Sequence, residues 1–153
     1  MSRSYRVEPH RAVGPVVFGM SRSDVEAAMG QTPKRAKRNR LSIAEYDHFE
    51  EDGFFVYYDP NDLAIAAECF ELSAVSYPPD TSLDLSYSAL IAWLKSRDPN
   101  LTLEADGAFR SDALGVAGAR KGEDDEVESL VFYRPNYYED SARWMRERRA
   151  ARK

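Results

Sequence analysis

The chain has 153 residues, 43% hydrophobic and 31% charged, with a formal net charge of −5, proportions that exclude a disordered chain. Its apolar runs are only a few residues long, as in Phe54-Phe55-Val56-Tyr57-Tyr58, far shorter than the ~20 residues of a membrane-spanning helix. A single cysteine, Cys69, leaves no internal disulfide and fits a reducing compartment. One domain, 1–153, is expected. Met1 to Pro9 has no apolar core of its own, so it is not read as a signal peptide and a cytoplasmic location is expected.

In chain order, Val13 to Phe18 reads as a short strand entered through Gly14-Pro15. Ser21-Arg22-Ser23-Asp24 then has the acidic form of a capping box, with the Ser21 hydroxyl placed to accept from an early helical N–H. Val25, Ala28 and Met29 share one face, and Gly30 suits a helix end that needs positive φ. The basic run Thr32 to Arg40 is too polar for a core element and reads as a solvated loop. Leu41 to Phe49 alternates like a half-buried strand. Glu51-Asp52-Gly53 is a turn and Phe54 to Tyr58 a strand. Asp59 to Asp62 is another turn, so Leu63 to Glu71 is read as a strand despite its alanines.

The second half follows a similar plan. Ala74 to Tyr77 is a strand, Pro78 to Thr81 a turn, and Ser86 to Ser96 a helix. Ser86, Leu90 and Leu94 match the spacing of Ser21, Val25 and Met29. Leu101 to Ala105, Ala113 to Ala117 and Glu126 to Tyr133 follow as strands, with a glycine-rich loop, Gly115 to Gly122, between the last two. The fold class is therefore α+β, with two short helices packed on antiparallel sheet in a tandem pseudo-repeat of a helix-plus-meander unit. Its halves are 13–72 and 74–135, and 138–153 forms a basic C-terminal helix or tail in which Trp144 and Met145 dock.

The charge layout is segregated. Between Leu41 and Leu94 there are eleven acidic residues and no Lys or Arg; positive charge concentrates in Lys34 to Arg40 and Arg143 to Lys153. A field of one sign attracts oppositely charged macromolecules and repels nucleic acid. Hydrolase, metalloprotease, phosphate-loop and dinucleotide patterns are all missing from the sequence. His10 and His48 lie far apart, and Cys69 sits in an apolar segment with no basic activator. Asp47-His48 beside Glu50-Glu51 is the one acid–base or metal candidate, against which stands a plain polar strand edge. The aromatics from Tyr46 to Tyr58, with Tyr77, Tyr133, Tyr137 and Tyr138, suit a binding surface set among carboxylates.

Two resemblances add to this reading. Val17-Phe18-Gly19-Met20-Ser21-Arg22-Ser23-Asp24-Val25 with Met29-Gly30-Gln31-Thr32-Pro33 resembles the opening of the helix-and-meander module in BamE-like assembly lipoproteins. Proteins of the β-lactamase inhibitor type carry such a module in tandem. Gly53 to Asp59 and the closing Val127 to Tyr138 resemble small cytoplasmic proteins found beside bacterial polymorphic toxins and taken for immunity proteins. The resemblance implies a non-enzymatic module that masks the active site of a basic toxin domain. It implies no cofactor, metal, nucleic acid or membrane. The residues expected to meet the partner are Tyr46, Glu50, Glu51, Asp52, Phe54, Tyr58 and Asp59. The alternatives are an enzyme or small-ligand protein using Asp47 and His48, and a BamE-like assembly adaptor.

Overall fold

The computed structural model describes residues 4–37 and 44–151. The arginine-rich end of the basic run (38–40), the expected strand start (41–43) and residues 152–153 lie outside the described residues. Three short strands come first: β1 (Tyr5–Glu8), β2 (Ala12–Val13) and β3 (Val16–Val17). Gly14-Pro15 is the two-residue turn of a β2–β3 hairpin within the stretch expected as one strand. Gly14 has φ +56°, and a β-carbon there would lie 2.5 Å from the Tyr5 ring.

Helix α1 (Arg22–Met29) begins as the sequence implies, with Ser21 Oγ accepting from the Asp24 N–H, and ends at Gly30 in the left-handed region. Eight residues make too short a helix to hold alone. Val25 and Met29, one turn apart and fully buried, anchor it to the sheet, each contributing roughly 1.5–3 kcal/mol.

A meander follows, of β4 (Lys34–Ala36), β5 (Tyr46–Phe49), β6 (Phe54–Tyr58) and β7 (Ala64–Cys69). Here the solvated-loop expectation fails for Lys34 to Ala36, which pairs antiparallel with β5 as an edge strand. An edge tolerates charge because one side has no neighbour, and lysine there discourages further pairing. The β6–β7 turn is held by Asp59, whose carboxylate accepts from the N–H groups of Asn61 and Leu63 at 2.8 and 3.0 Å. A turn this tight makes Ala64–Cys69 a strand, as expected, despite its helix-favouring alanines.

The chain continues through β8 (Val75–Tyr77), β9 (Thr81–Ser82) and helix α2 (Tyr87–Arg97), capped by Ser86. A second meander comprises β10 (Thr102–Leu103), β11 (Phe109–Ser111), β12 (Val116–Arg120) and β13 (Val127–Tyr133). Strand β11 was not anticipated, and β12 runs through the glycine-rich segment read as a loop. Gly118 is the reason that segment pairs: a β-carbon would lie 2.6 Å from the Ser129 carbonyl and 2.7 Å from the Phe109 ring. The described chain also has a third helix, α3 (Tyr137–Ala151), where two helices and a helix or tail were expected.

The strands form two sheets. The smaller runs β3-β2-β1-β8-β9, with β1 and β8 parallel; the larger runs β10-β11-β12-β13-β7-β6-β5-β4, antiparallel throughout. Strands β7 and β13, each closing a meander, lie side by side at its centre. The small sheet, α1 and α2 cover one face of the large sheet, where Val7, Met29, Phe49, Phe54, Leu90, Leu94, Leu130 and Phe132 form one core. Tyr5 stacks on Phe54 there, ring centroids 4.8 Å apart and ring planes nearly parallel. A smaller cluster on the opposite face joins Tyr57, Ile65, Ala66 and Tyr133 to Tyr137, Tyr138 and Trp144 of α3. Among the described residues no helix is long and apolar enough to cross a membrane.

Replacing Ser21 with Ala removes the acceptor for the Asp24 N–H. Urea unfolding is expected to show a loss of about 1 kcal/mol, and an unchanged midpoint would mean that the cap contributes nothing.

Candidate functional site

Successive strand residues point to opposite faces, and this alternation sorts the candidates. In β5, Asp47 and Phe49 turn to the helical side while Tyr46 and His48 face outward. In β6, Phe54, Val56 and Tyr58 join the main core, whereas Phe55 and Tyr57 pack on the outer side. Of the residues expected to meet a partner, Phe54 is 0% exposed and Tyr58 4%, so both are interior. Asp52 is buried and accepts from Gln31 Nε2 at 2.7 Å, tying the turn after β5 to the end of α1. Asp59 is occupied with its own turn. Tyr46 is on the outer face, and Glu50 and Glu51 are exposed.

Asp47 and His48 do not form a pair. The Asp47 carboxylate is fully buried and accepts from Arg22 Nη1 and Arg35 Nε at 3.0 Å each and from the Tyr58 hydroxyl at 2.7 Å. The Arg22 guanidinium lies 4.0 Å from the centre of the Tyr58 ring and also donates to Asp62 at 2.9 Å. Burial, followed by the bond to Asp47, pushes the Tyr58 phenol far above its ordinary range. The bond to Asp47 likewise raises the Arg35 guanidinium. His48, on the other face, packs edge-on against Phe55 at 4.3 Å. The cluster around Asp47 is a clamp holding α1, β4, β5 and β6 together.

The clamp also revises the charge layout. Lys34 pairs with Glu50 at 2.9 Å, Arg35 with Asp47, and Arg22 with Asp47 and Asp62. Basic residues outside the acidic stretch therefore neutralise part of it.

The outer face of the large sheet carries a different arrangement, an open trough of about 940 Å³. Its aromatic wall is Tyr46, Phe55, Tyr57 and Phe70. The Tyr46 and Phe55 rings stack at 5.0 Å, Phe70 tilts against Phe55 at 5.0 Å, and Tyr57 tilts against Tyr46 at 5.9 Å. Phe70 is 40% exposed, an unusual amount for so large a ring. Glu68 lies on the floor, opposite Phe55 in register. It is only 7% exposed, accepting from the Tyr57 hydroxyl and, at 2.6 Å, from the Ser129 hydroxyl. Glu104, Glu128, Lys37, Arg110 and Asp112 supply the remaining charge of the lining.

One end of the trough is closed by α3. Arg110 donates to both oxygens of Asp112 at 2.8 Å and to Glu139 at 3.1 Å, and its guanidinium sits 4.2 Å from the Tyr138 ring centre. Tyr133 adds a bond from its hydroxyl to Asp112 at 2.9 Å. The bonds from Arg110 first, and from Tyr133, hold the Asp112 carboxyl below its ordinary range.

Sequence reasoning placed aromatics on a binding surface but chose the wrong parity in β6. The usable signal was Glu68, the one charged residue in Ala64–Cys69. Its face must be the wetter one, and antiparallel pairing then puts Phe55 and His48 beside it. Among the described residues no cluster of His, Cys, Asp or Glu could hold a metal ion. No family model, curated protein or solved structure matches the chain.

Two measurements test this geometry. In urea unfolding, Phe54→Ala is expected to cost about 3–5 kcal/mol and Phe55→Ala about 1 kcal/mol; equal costs would contradict the assignment of faces. Asp112, with its lowered pKa, contributes stability above the ordinary carboxylate range that is lost as pH falls through the folded-state value. Asp112→Asn should therefore flatten the acid side of the stability–pH profile, and an unchanged profile would remove Arg110–Asp112 as an acid-sensitive contact.

Proposed function

We propose that this chain is a non-enzymatic protein-binding module, an immunity protein that neutralises a cognate bacterial toxin domain in the cytoplasm by masking its active site. The observation that carries this reading is the outer trough, where four aromatic rings surround a buried carboxylate on a rigid antiparallel sheet. Aromatic side chains on a fixed scaffold are the usual anchors of a protein interface, and they lose little conformational entropy when covered. The surrounding carboxylates suit a basic partner, such as a nuclease domain, whose approach they would speed.

The topology supports the same proposal. Helices α1 and α2 are each followed by a four-stranded meander, and the two meanders meet through β7 and β13. We read this as a tandem helix-and-meander repeat of the BamE-like kind, with Ser21 and Ser86 as equivalent caps. Such a repeat builds a broad sheet with one face sealed by helices and the other available to a partner.

The test is co-expression with any toxin domain found encoded beside this gene, scored by growth rescue and affinity capture. Phe55→Ala with Phe70→Ala is expected to weaken capture about 30-fold or more, the effect of losing an interface anchor. Reversing Glu50 and Glu51 to Lys should slow association several-fold at low salt and little at high salt. Absence of both rescue and capture would contradict the immunity reading. Capture untouched by the double aromatic change would contradict the choice of face.

A further inference from the structure

Independently of the protein-binding reading, we propose that β10 is a dimerisation edge, pairing antiparallel with β10 of a second copy of this chain about a two-fold axis at Leu103. The two ends of the large sheet differ. At one end β4 carries Lys34 and Arg35, the kind of charge that guards an edge against further pairing. At the other end, Leu101-Thr102-Leu103-Glu104-Ala105 contains no lysine, arginine or proline, and β10 pairs with β11 in an unbroken register. Leu103 is 41% exposed there.

The backbone is turned the right way for pairing. The Glu104 N–H donates to the Ala108 carbonyl at 2.9 Å, and an antiparallel ladder alternates bonded with non-bonded pairs. Thr102 and Glu104 therefore bond toward β11, while Leu103 directs its N–H and C=O to the outer edge.

The side chains select a second copy as the occupant. With Leu103 opposite its own counterpart, the two residues exchange both N–H···O=C bonds, which is the self-complementary contact a two-fold axis requires. That register sets Thr102 opposite Glu104, so each glutamate meets a hydroxyl and no like charges stand opposite each other. Leu103 shares the helical side with Phe109, its partner in β11, and the two leucines cover each other there. Thr102 and Glu104 line the trough, so pairing lays two troughs side by side on one continuous sheet. Addition of a strand to an open sheet edge is a recurring mode of recognition. An edge this short is smaller than the standard interface of about 1,200–2,000 Å², so the dimer is weak and forms as concentration rises.

The test is sedimentation velocity of the full chain over a wide range of concentration, where a monomer–dimer equilibrium is expected. Because the Leu103 N–H points away from β11, Leu103→Pro keeps the internal ladder and blocks only the new pairing. It should raise the dimer dissociation constant about tenfold or more, as the loss of two backbone hydrogen bonds implies. Leu103→Lys places a guarding charge at the same point and should act likewise, so the test remains decisive even if the proline variant is unstable. Leu103→Cys puts opposing Cα atoms about 5.5 Å apart, within reach of a disulfide. It should cross-link on oxidation faster than Leu63→Cys, an exposed position away from this edge; Cys69 is buried. A monomer at every concentration, a dimer unmoved by both edge variants, or equal cross-linking of the two cysteine variants would overturn the assignment. None of these results touches the immunity reading, which toxin capture decides.

Discussion

The pairing of β6 with β7 sets Phe54 opposite Cys69 and Phe55 opposite Glu68, and most of the molecule depends on that register. A slip by one residue would turn one of the two strands over relative to the other. Either Glu68 would then enter the core among Leu130 and Phe132, or Phe54 would leave it and lose its stack on Tyr5. Burying a carboxylate without partners costs several kcal/mol, so the register is strongly selected. Helices α1 and α2 seal one side because their apolar pairs, Val25 with Met29 and Leu90 with Leu94, have no other surface on which to pack. Among the described residues, α3 is the helix that packs on the opposite side, beside Tyr57 and Tyr133.

Charge reinforces this division. On the helical side, Asp47 gathers Arg22, Arg35 and Tyr58 into a clamp, so a fully buried carboxylate has donors on both of its oxygens. Removing it would leave Arg22 only partly solvated and without that partner, which in buried pairs costs about 3 kcal/mol or more. On the outer side, Glu68 is held by two hydroxyls and bordered by rings. One carboxylate ties the fold together; the other lies on the floor of the outer trough.

Much of the architecture was legible in the sequence because local chemistry wrote it there. Ser21 and Gly30 bracket α1, Ser86 opens α2, and Asp59 makes the turn that forces Ala64–Cys69 into a strand. The elements that escaped notice are those whose pairing comes from tertiary contact. Strand β4 is charged and forms only because β5 offers an edge, β11 is three residues long, and β12 depends on Gly118 allowing Phe109 and Ser129 to approach. The trough was half legible. Its aromatic content was visible, but adjacent rings at Phe54-Phe55 and Tyr57-Tyr58 give no parity on their own, and the ion pairs of Lys34 and Arg35 join residues distant in the chain. Phe70 and Arg110 acquire their positions only when the sheet is assembled.

The central claim is that the helical face holds the fold and the outer sheet face holds the partner. The most direct test is cross-saturation NMR of this chain in complex with the toxin domain proposed as its partner. The account predicts transfer to Tyr46, Phe55, Phe70 and the β10–β11 loop. Transfer confined instead to the exposed side of α2, at Ala92 and Lys95, would contradict it.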